Sequence, residues 1–242
     1  MNASRTHSLA IRHRTPEIMD DPALEPRAHD DALRGLERIH RFSRPDAAIW
    51  PRIARLYDEL GNPDQPLRVL DVACGGGVLA LELAGRAARQ GRRIDVEGCD
   101  KSPRAVEFAT RRARETGRQA RFFACDALAD PYPDSYDIVT CSLFLHHLDD
   151  SGAEKLLGRM AAAARRLVLV DDLIRGRAGY LLAWLGCRAL SRSPVVHSDG
   201  AASVAAAYTV DEATALARRA GLDGATVARH WPCRFLLSWS PP

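Results

Sequence analysis

The nine residues Val69-Leu70-Asp71-Val72-Ala73-Cys74-Gly75-Gly76-Gly77 constrain this chain more than any others. Arg68 to Ala73 is apolar enough for a strand buried in a sheet, and three consecutive glycines follow. From Val78 apolar residues recur at helical spacing, at Leu79, Ala80, Leu83, Ala84 and Ala87, which predicts a helix from Gly77 to about Gln90. A strand that passes through glycines into a helix brings bare backbone N–H groups close to a ligand at the helix N-terminus. Asp71 stands just before the turn, where a carboxylate accepts hydrogen bonds from a ligand amine or orders the loop. The plainer alternative is a glycine-rich connection that holds no ligand.

Downstream the same unit repeats. Strands are expected at Ile94–Cys99, Ala120–Cys125, Asp137–Cys141 and Leu167–Val170. A helix follows Ser102, with Ser102 as N-cap and Pro103 at its first position, and another covers about Ser151 to Ala164. This alternation predicts a parallel, doubly wound sheet that binds ligands outside the carboxyl ends of its strands. Residues 1–64 form an N-terminal extension. Its charged first part is punctuated by Pro16, Pro22 and Pro26. Helices follow at about Ala28–Phe42 and Trp50–Leu60, with Pro51 in the first turn of the second and Gly61-Asn62-Pro63 closing it. The extension either covers the site or only packs on the sheet. Residues 65–242 form the ligand-binding domain. Within it, residues 174–209 are an insertion whose apolar helix, Gly179–Leu190, is either a lid or sheet-edge packing. A helix over Thr209–Arg219 and a hairpin of Ala225–His230 and Arg234–Trp239 end the chain.

At 242 residues the chain can bury a full core. Its net charge is only +3, and its arginines are interspersed with acids, so no nucleic-acid footprint is expected. No apolar run is long enough to span a membrane, and Met1 to Arg14 lacks the apolar centre of a signal peptide, so a cytoplasmic location is expected. Of six cysteines, Cys74, Cys99, Cys125 and Cys141 fall near strand ends. Without a Cys-x-x-Cys pair they read as small buried fillers; neither a metal nor a disulfide framework is expected.

Gly75-x-Gly77-x-x-Ala80 matches the dinucleotide fingerprint, with Asp100 about 20 residues further on. Taken alone, the glycines suit a nicotinamide cofactor as well as S-adenosylmethionine. Three acids at strand ends, Asp71, Asp100 and Asp126, narrow the choice. Asp100 is placed to grip two ribose hydroxyls and Asp126 to accept from an adenine amino group; a nicotinamide site needs the first of these but not the second. The Tyr-x-x-x-Lys pair of an oxidoreductase is missing. Asp71, Ala73, Gly75 and Gly77, with the two later acids and the terminal hairpin, resemble the class I S-adenosylmethionine-dependent methyltransferases, Ala73 replacing the usual first glycine. The resemblance covers Leu67 to Ile174 by motif. It implies a Rossmann-like α/β sheet of seven strands, the last antiparallel. It implies S-adenosylmethionine as cofactor and S-adenosylhomocysteine as product, surrounded by Asp71, Ala73, Gly75, Gly77, Asp100, Lys101, Asp126, Ala127 and Ser142.

After strand four the chain reads Cys141-Ser142-Leu143-Phe144-Leu145-His146-His147-Leu148 and lacks the Asn/Asp-Pro-Pro-Tyr of amine-directed methyltransferases. Asp130-Pro131-Tyr132-Pro133 precedes that strand and reads as a turn. The histidine loop, the arginine-rich insertion and Val196-His197-Ser198-Asp199-Gly200 resemble bacterial methyltransferases of polyketide and other aromatic secondary metabolism. The implied acceptor is a small molecule such as a phenol, with His146, His147 and His197 as candidate bases and Phe144, Trp184 and Trp50 as candidate contacts. Carbon or nitrogen methylation, an NAD(P)-dependent oxidoreductase and a non-catalytic S-adenosylmethionine-binding protein are the competing readings. Adjacent side chains point apart on extended or helical backbone, so only one of His146 and His147 is expected to face the pocket. Asp149 and Asp150 are placed to orient it. The oligomeric state is left open.

Overall fold

The computed structural model describes residues 9–21, 23–61 and 63–242, so Met1–Ser8, Pro22 and Asn62 lie outside the described residues. A seven-stranded sheet forms the centre, in the order β3-β2-β1-β4-β5-β7-β6. β1 (Leu67–Val72) lies between β2 (Ile94–Asp100) and β4 (Tyr136–Ser142), and β3 (Ala120–Ala124) is the edge beyond β2. These pairings and that of β4 with β5 (Ala164–Leu173) are parallel. β7 (Arg234–Trp239) runs antiparallel to both β5 and β6 (Thr226–His230), so the expected terminal hairpin closes the sheet.

The strands divide their side chains between two cores with period two. Leu70, Val72, Val139, Cys141, Val168, Val170, Phe235 and Leu237 face α5 (Asp150–Ala163) and α8 (Val210–Arg219). Val69, Ile138, Leu169 and Leu236 face α2 (Pro45–Glu59) and α3 (Val78–Arg89). Side-chain caps start α4 (Pro103–Thr116) through Ser102, α5 through Asp149 and α8 through a Thr209–Glu212 capping box. The three remaining helices pack together: α1 (Pro26–Ser43), α6 (Arg177–Leu190) and α7 (Pro194–Ala206) share a small core of Ala32, Cys187, Val195 and Val196.

Four expectations need correction. The break expected between the two N-terminal helices, Ala28–Phe42 and Trp50–Leu60, is a single left-handed residue, Arg44 at φ 44°, so α2 begins at Pro45 and Pro51 lies inside it rather than in its first turn. Trp50, expected at the acceptor, is 4% exposed and packs with Ile49 and Ile53 beneath the sheet, because that face of α2 is the one the sheet covers. The segment around His197, for which no element was foreseen, is α7. β5 continues to Leu173, because its terminal acids Asp171 and Asp172 have buried partners. The cysteines are free; Cys99, Cys125 and Cys141 are buried among apolar neighbours. No helix of the described residues is long and apolar enough to cross a membrane.

Candidate active site

A cavity of about 490 Å³ opens over the carboxyl ends of the central strands. Its floor is Asp71, Ala73 to Gly76, Ser142 and Leu143; α1 supplies Leu33, Leu36 and Ile39, and α6 and α7 supply residues such as Ala183, Cys187 and Val204. Within the N-terminal extension, α1 walls the cavity while α2 packs on the sheet. The inserted helices α6 and α7 wall it from another side.

The turn after β1 is shaped by left-handed backbone at Ala73 (φ 53°), Gly75 (φ 51°) and Gly77 (φ 76°). At Gly77 a Cβ would lie 2.8 Å from Ala109 and from the Phe122 ring, so close packing of α3 requires glycine there. At Gly75 a Cβ would meet nothing within 4 Å, which leaves the loop backbone facing open space. Asp100 tethers the loop from the neighbouring strand, its two oxygens accepting from the Gly75 and Ser102 N–H groups at 2.9 Å each. Asp71 is 1% exposed and accepts from the Thr140 hydroxyl at 3.0 Å. Burial pushes its carboxyl up to about 7; the bonds from Thr140 and the Ala80 backbone oppose the rise, and the nearby charge of Asp100 adds to it.

Both histidines of the loop line the cavity, contrary to expectation. Leu145–His147 is a tight 3-10 turn, and the two rings sit with centroids 4.5 Å apart. Both face Glu17 of the extension, His146 Nε2 at 3.6 Å and His147 Nε2 at 3.7 Å. Behind His146, Asp172 accepts from its Nδ1 at 2.6 Å and from its backbone N–H at 3.2 Å. Burial by itself would lower the His146 pKa, but the carboxylates of Asp172 and then Glu17 outweigh it and raise it to about 10. Asp172 falls below its ordinary range despite burial, through the charge and hydrogen bond of His146. Glu17 falls as well: its burial is outweighed by the His146 bond, the charges of both histidines and the Ser203 hydroxyl. Asp149 and Asp150, expected to orient His147, are engaged elsewhere, Asp149 capping α5 and Asp150 pairing with Arg219 and Arg12.

Of the other expected residues, Ser142 lines the cavity, and its hydroxyl accepts from Arg234 at 3.1 Å. Asp126 accepts from the Leu128 N–H at 2.8 Å in the turn after β3; neither it, the buried Ala127 nor the exposed Lys101 lines the cavity. Phe144 stacks on His147 from outside, at 5.7 Å between centroids. Trp184 lies on the outer face of α6 under Arg188, because the cavity side of that helix is taken by Gly179, Ala183, Gly186 and Cys187. His197 is removed from the candidate bases: its Nε2 meets the Ser191 carbonyl at 2.7 Å, outside the cavity lining.

Sequence reasoning assigned no role to Glu17, Asp171, Asp172, Arg234 or His40. Arg234, 1% exposed, grips Asp171 with two nitrogens, and His230 Nε2 reaches the same carboxylate at 2.8 Å. His40 lines the cavity with a buried Nδ1 that has no hydrogen-bond partner among the described residues, and burial, aided by Arg234, lowers its pKa to about 3. The signal available for Asp171 and Asp172 was their place at the end of an apolar strand.

A methyltransferase domain model matches residues 69–166. The ubiquinone biosynthesis O-methyltransferase of Thiobacillus denitrificans is 32% identical over 200 residues, covering 77% of this chain and 80% of that protein. The enzyme of the same name from Leptothrix cholodnii is 32% identical over 160 residues, 62% of this chain and 65% of the relative, so the chain spans just under two thirds of that relative's length. Among solved structures, magnesium protoporphyrin IX methyltransferase from Synechocystis PCC 6803 with bound S-adenosylhomocysteine shares the fold at a TM-score of 0.56 and 19% identity, covering 93% of this chain and 91% of that one.

Proposed function

Since this chain belongs to the class I S-adenosylmethionine-dependent methyltransferases, we propose that it methylates the hydroxyl of a small aromatic acceptor, phenolic or polyketide-like, seated in the apolar cavity. The observation that carries this reading is the pair His146 and His147, backed by Asp172 and Glu17, on the wall of a cavity whose floor is the glycine loop. The residues present suit the cofactor. The loop backbone at Gly75 faces open space, the Asp100 carboxylate stands beside it, and the orphaned Nδ1 of His40 offers a polar contact. We assign to it Asp71, Ala73, Gly75, Gly77, Asp100 and Ser142 around the loop, with Lys101, Asp126 and Ala127 outside the cavity lining, in the turns after β2 and β3.

When bound, S-adenosylmethionine supplies a methyl group on a sulfonium sulfur. That methyl would be open to in-line attack by the acceptor oxygen, whose proton must leave. A phenol with a pKa of about 10 needs a base near neutral pH. We assign this step to His147, with the Glu17 carboxylate facing its Nε2 and compensating the imidazolium that results. His146 is held protonated by Asp172 and Glu17, and so offers positive charge to the developing phenolate. The apolar walls exclude water and select an aromatic or alkyl-bearing acceptor.

Replacing His147 with Ala should lower kcat by about 10²–10⁴ while leaving S-adenosylhomocysteine binding nearly unchanged. The loss should shrink for acceptors of lower pKa, which ionise without help. Equal losses across acceptors of differing pKa would assign His147 to positioning only.

A further inference from the structure

The outer side of α6 is apolar and, among the described residues, without a partner. Tyr180, Leu181, Leu182, Trp184 and Leu185 are all exposed, Leu181 by 58% and Leu185 by 51%. The opposite side of the same helix lines the cavity through Gly179, Ala183, Gly186 and Cys187. A helix apolar on both sides is normally buried on both sides. Here one side is accounted for by the cavity and the other faces solvent. The patch also continues to the cavity itself: Phe42, at the end of α1, and Trp231, in the terminal hairpin, are 68% and 75% exposed, and with Leu182 they line the cavity.

Charge selects the occupant. From Leu173 to Ser198 the chain has four arginines and no acid. Arg175 is buried against Glu212, which leaves Arg177, Arg188 and Arg192 exposed around the apolar face. The Arg188 guanidinium lies 4.2 Å above the Trp184 ring, joining the basic fringe to the apolar face. An apolar strip with amphipathic rings and basic flanks fits an anionic lipid interface. A second copy of this chain would set the same uncompensated arginines against one another. We propose that the outer face of α6, with Phe42 and Trp231, docks on an anionic phospholipid membrane and turns the cavity toward it. An apolar acceptor dissolved in the bilayer would then reach the cavity without crossing water. The surface itself is independent of the reaction catalysed.

The test uses the full chain and sedimentation with vesicles of phosphatidylcholine containing phosphatidylglycerol, and of phosphatidylcholine alone. The chain should sediment with the anionic vesicles and be released by about 0.5 M salt. Leu181→Glu with Leu185→Glu should lower the partition coefficient by about tenfold or more. Arg177→Gln should lower it by about fivefold at low salt. Both leucines are exposed and absent from the cavity lining, so an unchanged thermal midpoint separates lost docking from lost folding. A chain that stays in the supernatant with anionic vesicles overturns the proposal, as does binding that the double variant leaves unchanged. So does ultracentrifugation that finds a dimer dissolved by the double variant, with no vesicle binding in either protein.

Discussion

Asp172→Asn tests whether His146 is held charged. The substitution keeps the shape of the side chain and an oxygen facing Nδ1, but removes the charge that stands 2.6 Å from the ring. His146 titrates at about 10 in the folded protein, against 6.5 for an unperturbed imidazole. A folded pKa above the unfolded one contributes stability that is fully present below pH 6.5 and is lost as pH rises through about 10. At about 1.4 kcal/mol per pH unit the whole contribution is roughly 5 kcal/mol. Breaking a buried ion pair from one side costs roughly 3–5 kcal/mol in general, the same size. The variant should therefore be less stable than the parent by roughly 4–5 kcal/mol near pH 6, and that deficit should shrink to about 1 kcal/mol near pH 9.5. Urea unfolding of both proteins across this range measures it. The difference between them is the quantity to follow, since the buried thiols of Cys74 and Cys99 are raised mainly by burial and titrate alike in both, while Cys141, which feels the Asp172 charge, is pushed well above its ordinary range. A deficit that stays constant from pH 6 to 9.5 would refute the argument and leave His146 neutral at physiological pH.

Three further outcomes follow from the loop. Asp100→Ala should weaken S-adenosylhomocysteine binding by about ten- to a hundredfold in calorimetry, since hydrogen bonds to a charged group are worth roughly 1.5–3 kcal/mol; unchanged affinity in a folded variant would remove Asp100 from the site. Gly77→Ala should lower stability by roughly 2–4 kcal/mol, because φ 76° disfavours a side chain and the new Cβ would press on Ala109 and Phe122, whereas Gly75→Ala should cost only about 1–2 kcal/mol of backbone strain. Equal thermal midpoints for the two variants would contradict the packing argument. Asp71→Asn should stabilise the chain at pH 8 by up to roughly 4 kcal/mol and weaken cofactor binding. Its folded pKa, about 7, lies above the unfolded 3.8, so ionised Asp71 costs stability in full above pH 7 and nothing below pH 4; a gain that does not vanish toward pH 4 would point to a cause other than its charge.

Legibility followed the range over which each signal acts. The turn from β1 into α3 was readable because strand, glycines and helix are contiguous, and the acids Asp71, Asp100 and Asp126 could be placed because strand ends are local features. α7 was not readable, because it has no polar side to mark its period: Val195, Val196, Ala201 and Val204 are buried, and so are Asp199 and Ser203. Trp50 is the reverse case, an aromatic whose helix was foreseen but whose buried face depended on where the sheet lay. Glu17 stands more than a hundred residues before the histidines it faces, in a segment marked only by charge and proline. Asp171 and Asp172 carried more information than was drawn from them. Two adjacent acids at the end of a buried strand must point to opposite faces. Neither face offers water, so each acid requires its own partner. Arg234 and His230 meet that need for Asp171 and His146 meets it for Asp172. A pair of acids ending an apolar strand therefore implies two basic groups brought in from elsewhere in the chain, and the histidines after β4 were candidates before any geometry was known.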